Sequence, residues 1–264
     1  MRGRKQSTAW EKEYRENWRR EQKFLRDHRE ARISPLDRKL DELAPEALSG
    51  TLHAAFVKAF EVVFQKGTGV IGRVGRRENR RMDAKIRQYK AELRENRRNL
   101  RAFSRAADRS GLGNTLAAGA AGAGMGLFGV ALPDVPLFTA MLLKSVYETA
   151  ESFGFGHETP EERRFVLLIM ETALSGGPEL EDGDRRLNEF MRDGAWRPEE
   201  PPLGEQVRRT ARRLSEAVLY GKVLQNIPVV GVAGGLRDGV LVRRVQRYAA
   251  IKYRRRFLLA RRKH

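Results

Sequence analysis

"GAAGAGMGLFGVALPDVP", residues 119–136, decides how the rest of the chain is read. It carries no charge before Asp134, and glycine recurs at 119, 122, 124, 126 and 129. A phosphate-cradling loop, a membrane span and a closely packed helix pair compete for it. The loop reading rests on two GxGxxG matches, Gly67-Gly69-Gly72 and Gly124-Gly126-Gly129. A dinucleotide fingerprint works because a strand delivers the turn and a helix N-terminus meets the pyrophosphate. Both matches instead follow helical or glycine–alanine patterns. Glu148 has the spacing of a ribose-binding acid but falls inside a predicted helix. No cofactor is expected.

The span reading has length on its side, since about 21 residues, 112–132, pass without a charge. Glycine and alanine dominate them, so the apolar area per residue is small and the drive to insert is weak. Ala118, Gly122 and Gly126 fall at four-residue spacing, which lets helix backbones approach closely in a bilayer or in a soluble bundle. Gly129 and the Pro133-Asp134-Val135-Pro136 step complete this surface. A second glycine-bearing stretch, 227–242, contains Pro228, Gly231, Gly234 and Gly235. It is too short to cross, is interrupted by Arg237-Asp238, and suits a buried or shallowly inserting hairpin. Burial inside the protein and exchange for lipid both stay open at this level.

The flanking sequence is helical throughout. Leu48, Leu52, Ala55, Phe56, Ala59, Phe60 and Val63 share one face of an amphipathic helix. Asp134 is placed to cap the helix that follows, Pro136 is tolerated in its first turn, and Gly154 ends it. Thr159 and Glu162 form a capping box with Pro160 at the first helical position, and Gly176-Gly177 stop that helix. Residues 1–32 read as a separate, exposed charged helix, with Trp10, Tyr14, Trp18 and Leu25 near helical spacing. The remainder, 33–264, reads as one helical domain with an Arg-rich helical segment at 73–109 and an acidic, proline-bearing loop at 178–204. No strand alternation appears, so the predicted fold is all-α, a single multi-helix domain.

Charge narrows the partners. The 264 residues carry a net charge of +18, and there is no cysteine, which excludes disulfides and thiolate chemistry. By segment the charge is roughly +5 over 1–32, +9 over 73–109, −8 over 110–203 and +10 over 237–264. Such a field favours polyanions. Candidate contacts to an anionic surface are Arg73, Arg76, Arg77, Arg80 and Arg81, and in the tail Arg243, Arg244, Arg247, Arg254, Arg255 and Arg256. Nucleic acid is the rival, although only Tyr89 and Phe103 interleave the cations of 73–109, too few for a stacking platform.

Catalytic and metal signals are thin. His28, His53, His157 and His264 are dispersed, with no HExxH, so no metal is expected. "ALSGG", residues 173–177, is a helix end and not a nucleophile elbow. Asp134, a lone acid in an apolar setting, is the one candidate catalytic group, and His157 or Glu148 would have to converge on it for hydrolysis.

Four segments together carry a resemblance: "LAPEALSGTLHAAFVKAFEVV" (residues 43–63), "ALPDVPLFTAMLLKSVYETAESFGF" (131–155), "TPEERRFVLLIMETALSGG" (159–177) and "IPVVGVAGGLRDGVLVRRVQRYAAIKYRRRFL" (227–258). Over residues 36–258 the chain resembles the EcsC family of bacterial proteins. The resemblance implies a helical domain and, through ABC-transporter gene neighbourhoods, a protein partner in an envelope context. It supplies no catalytic residues to carry over. The expected protein is non-enzymatic, cytoplasmic and without a signal peptide. It would lie peripheral to the inner membrane and bind anionic lipid.

Overall fold

Thr159 starts the innermost helix as its sequence dictates. Its hydroxyl accepts a hydrogen bond from the Glu162 amide at 3.2 Å, its backbone is extended, and Pro160 occupies the first turn. The reciprocal half of the capping box is absent, because the Glu162 carboxylate turns inward to other partners described below. The computed structural model describes residues 8–29, 46–65, 135–225 and 234–262. Among them are helices α1 (Ala9–Arg29), α2 (Glu46–Gln65), α3 (Val135–Ser152), α4 (Pro160–Leu174), α5 (Gly177–Asp193), α6 (Leu203–Gln225) and α7 (Gly234–Arg262). No strand occurs among the described residues, so the all-α expectation holds.

α4 is enclosed by the others. Phe165, Val166, Leu167, Leu168, Ile169 and Met170 are buried on every side, as an apolar run without a polar face requires. α5, α6 and α7 pack directly on it, and α2 and α3 close the far side by joining α6 to α7. Each of those side chains stabilises the fold by roughly 1.5–3 kcal/mol. The amphipathic face expected of α2 is the face it buries: Leu52, Phe56, Ala59, Phe60 and Val63 all lie in the core. α3 ends at Gly154, whose φ of 88° belongs to the left-handed region that favours glycine.

Three expectations need correction. Residues 178–204 are not one loop, since α5 occupies Gly177–Asp193. Gly176 is the N-cap of α5, and the glycine pair turns the chain directly from α4 into it. The amphipathic face of α5 (Leu180, Leu187, Phe190 and Met191) drives this against α4, and acidic residues occupy its outer face. At Gly183 the two helices approach so closely that an added Cβ would lie 3.0 Å from Thr172 Cβ. Second, the part of 227–242 that begins at Gly234 does not turn back as a hairpin, because α7 runs as one helix from Gly234 through Arg237-Asp238. Third, α1 is not an isolated exposed helix. It packs on α7 and α5, beginning with a capping box in which the Thr8 hydroxyl and the Glu11 carboxylate accept each other's backbone amides at 3.1 Å.

Candidate anion-binding face

α1 is polar on the side it buries. Glu13, Asn17 and Glu21, at four-residue spacing, are at most 1% exposed, and Phe24 extends the same face. Charges enter a low-dielectric interior only when paired, and α7 supplies the partners. Arg254 bonds Glu13, Lys252 bonds Glu21, and Arg255 bonds the other oxygen of Glu21. Lys252 also meets Asp184 at 2.5 Å and Asn188 at 3.0 Å, so α5 closes the cluster. Next to it, Tyr248 donates to Asp184 at 2.7 Å, and burial beside that carboxylate pushes the phenol well up. One turn on, Arg256 reaches Glu162 of α4 at 2.6 Å, over the Phe155 ring. Tyr253 donates to the same carboxylate at 2.8 Å.

The basic tail is therefore used differently from the sequence expectation. Arg254, Arg255 and Arg256 point inward as structural partners of Glu13, Glu21 and Glu162, not outward to headgroups. Arg244 donates to the Ser175 carbonyl at 2.7 Å, capping the C-terminus of α4, and burial without a carboxylate pulls its pKa down to about 10. Of the six tail arginines expected to face an anionic surface, Arg243 and Arg247 are exposed.

Inward acids leave α1 an outward face of the opposite sign. Arg15, Trp18, Arg19 and Arg26 line it at helical spacing, and Trp18 is 49% exposed, rare for an indole. Among the described residues Arg15, Arg19 and Arg26 have no carboxylate partner, whereas Arg20 pairs with Glu16 at 2.9 Å. Sequence reasoning passed over this face. The signal was present in Glu13, Asn17 and Glu21 falling opposite Arg15, Trp18 and Arg19 on a helical projection.

Between α1 and α7 lies an open cleft of about 260 Å³. Arg20, Lys23, Arg247 and Arg254 line it against a single carboxylate, Asp27. Phe24, Phe153, Ala250 and Ile251 form its apolar wall. His28 also faces it; burial, together with Arg244 and Arg247, lowers its pKa, while its Nδ1 lies 2.8 Å from the Phe24 carbonyl.

The remaining candidates fall into two groups. Arg73, Arg76, Arg77, Arg80 and Arg81, together with Ala118, Gly122, Gly126, Gly129, Pro133, Asp134, Pro228 and Gly231, lie outside the described residues. Gly234 and Gly235 form the first turn of α7, and Pro136 is exposed in the first turn of α3. The groups proposed to assist Asp134, Glu148 and His157, are both buried. His157 stacks on Tyr147 with centroids 3.9 Å apart and lies 3.7 Å from Glu151. No metal-holding cluster and no helix long and apolar enough to cross a membrane occur among the described residues.

The EcsC protein family model matches residues 11–258. The chain belongs to the EcsC family. That match starts inside α1, earlier than the resemblance read from residue 36, and so takes in the helix whose acids pair with α7. Neither the curated proteins nor the solved structures give a match to this EcsC chain.

Proposed function

We propose that this EcsC-family protein binds anionic membrane surfaces peripherally, at the inner face of the membrane, as a non-enzymatic protein. The observation that carries the reading is the outward face of α1, where exposed Trp18 sits between Arg15 and Arg19 while Glu13 and Glu21 are withdrawn into the core. Indole rings settle at the lipid–water interface, and arginines beside them meet headgroup phosphates. Each basic side chain near such a surface contributes about 1 kcal/mol, so replacing two weakens binding roughly thirtyfold.

Flotation of the full chain with phosphatidylglycerol-containing vesicles, against vesicles of phosphatidylcholine alone, tests the reading. Recovery is expected only with the anionic vesicles. Arg15→Gln with Arg19→Gln should lose most of it, and Trp18→Ala should weaken it at constant charge. Equal recovery on both vesicles, or an undiminished double variant, overturns the reading. Binding to DNA with no recovery on any vesicle would replace the membrane by a nucleic acid, with affinity falling steeply in salt.

A further inference from the structure

Two large apolar side chains stand exposed among the described residues, Trp18 of α1 at 49% and Val240 of α7 at 60%. Unpaired arginines fall on the same two helices. On α5 and α6 most exposed arginines are answered locally: Arg185 by Asp182 and Glu189, Arg192 by Asp193, and Arg208 and Arg209 by Glu205. Among the described residues the exposed arginines without a carboxylate are Arg15, Arg19 and Arg26 of α1, Arg243 and Arg247 of α7, and one outlier, Arg212 of α6. Trp18 lies between Arg15 and Arg19, and Arg243 and Arg247 follow Val240 by one and two helical turns. The pairing of a bare apolar side chain with uncompensated cations therefore occurs twice.

Both pairs face one side of the molecule. α1 runs antiparallel to α7: Trp10 donates to the Leu258 carbonyl at 2.8 Å, Glu13 bonds Arg254, Asn17 donates to the Ile251 carbonyl at 3.1 Å, and Phe24 stacks on Tyr248 at 4.8 Å. Val240 and Arg247 stand on the same row of α7 as Ile251, Arg254 and Leu258, at successive spacings of seven, four, three and four residues. α1 covers the later part of that row and leaves Val240 bare. From the Phe24–Tyr248 stack, Trp18 lies six residues one way and Val240 eight residues the other. At 1.5 Å per residue the two are about 20 Å apart along the helices.

We infer that the N-terminal part of α7 makes a second contact with the same anionic membrane, with Val240 entering the headgroup layer and Arg243 and Arg247 meeting phosphates. This contact rests on the membrane reading and adds to it an orientation. α1 lies over α7, so the two contacts differ in height by one helix spacing, about 8–10 Å. Over about 20 Å of length, that step tips the α1 axis by about 25° to the membrane, its C-terminal end leading. Arg26, near that end, is carried in between the two contacts.

The test uses the full chain and phosphatidylglycerol-containing vesicles, with Arg212 as an equally exposed, equally unpaired control on another helix. Arg243→Gln and Arg247→Gln should each weaken recovery in flotation about fivefold, and Arg212→Gln less than twofold. The chain holds no cysteine, so an environment-sensitive fluorophore can be attached through Val240→Cys or through Arg212→Cys alone. On the vesicles the label at 240 should shift to the blue and the label at 212 should not. Recovery that Arg15→Gln with Arg19→Gln diminishes, but that Arg243→Gln and Arg247→Gln leave intact, keeps the membrane reading and overturns the second contact. An equal loss from Arg212→Gln and Arg247→Gln assigns binding to net charge and overturns it too, as does a label at 240 that stays in water. No recovery of the unsubstituted chain on any vesicle overturns both the membrane reading and this inference.

Discussion

Glu21→Gln tests whether the buried charges hold α1 to the rest of the protein. Glu21 is 1% exposed and bonds both Lys252, which is fully buried, and Arg255. Breaking a buried pair by removing one partner costs about 3–5 kcal/mol. Here Lys252 keeps Asp184 and Asn188, and the Arg255 side chain is 20% exposed, so water can reach it. Both features place the loss near the lower end, about 3 kcal/mol. For a chain of this size that lowers the melting temperature by roughly 6–12 °C. Lys252→Met should cost a similar amount, because it takes the cation from buried Asp184 and leaves that carboxylate only the hydrogen bonds from Tyr248 and Asn188. The double variant Glu21→Gln/Lys252→Met removes one charge of each sign and should lose at least about 1 kcal/mol less than the two single losses together. Urea unfolding followed by far-ultraviolet circular dichroism measures all three. Strict additivity, or a Glu21→Gln loss below about 0.5 kcal/mol, refutes the argument that these charges are energetically coupled.

Further outcomes follow from particular contacts. Burial raises the Glu171 pKa against the opposing effects of Arg186 and the Gln206 hydrogen bond. A carboxyl with a raised native pKa destabilises the fold at pH above its unfolded value, and the penalty disappears below that value, where both states are protonated. Glu171→Gln should therefore raise the melting temperature at pH 7, and the gain should vanish as the pH falls through the ordinary carboxylate range. A gain independent of pH would contradict this. Gly183→Ala forces a methyl group against Thr172 and should cost about 1–3 kcal/mol in urea unfolding, with rescue by Thr172→Ala. Thr159→Ala removes the cap of α4 and should cost about 1 kcal/mol by the same measurement.

Local chemistry was legible without the fold. The Thr159-Pro160 start of α4, the glycine at 154 and the apolar face of α2 each depend on backbone conformation or periodicity within one helix. The family was legible from the motifs of four segments, although its extent into α1 was not. The helix at Gly177–Asp193 was missed because its acids and paired glycines resemble loop composition, while the face it buries is apolar only against α4.

The use of the charges was decided by tertiary structure alone. "YRRRF", residues 253–257, looks like a solvated basic patch, since nothing nearby in sequence opposes it. Its partners are Glu13, Glu21 and Glu162, brought in by α1 and α4, with Arg254 and Glu13 lying 241 positions apart. A charge can leave water only where an opposite charge and hydrogen bonds replace its hydration, and that depends on which helices meet. Sequence alone thus determined that the protein is helical, basic and of the EcsC family. The packing of α1 on α7 determined which arginines hold the fold together and which, around Trp18 and the cleft, face outward.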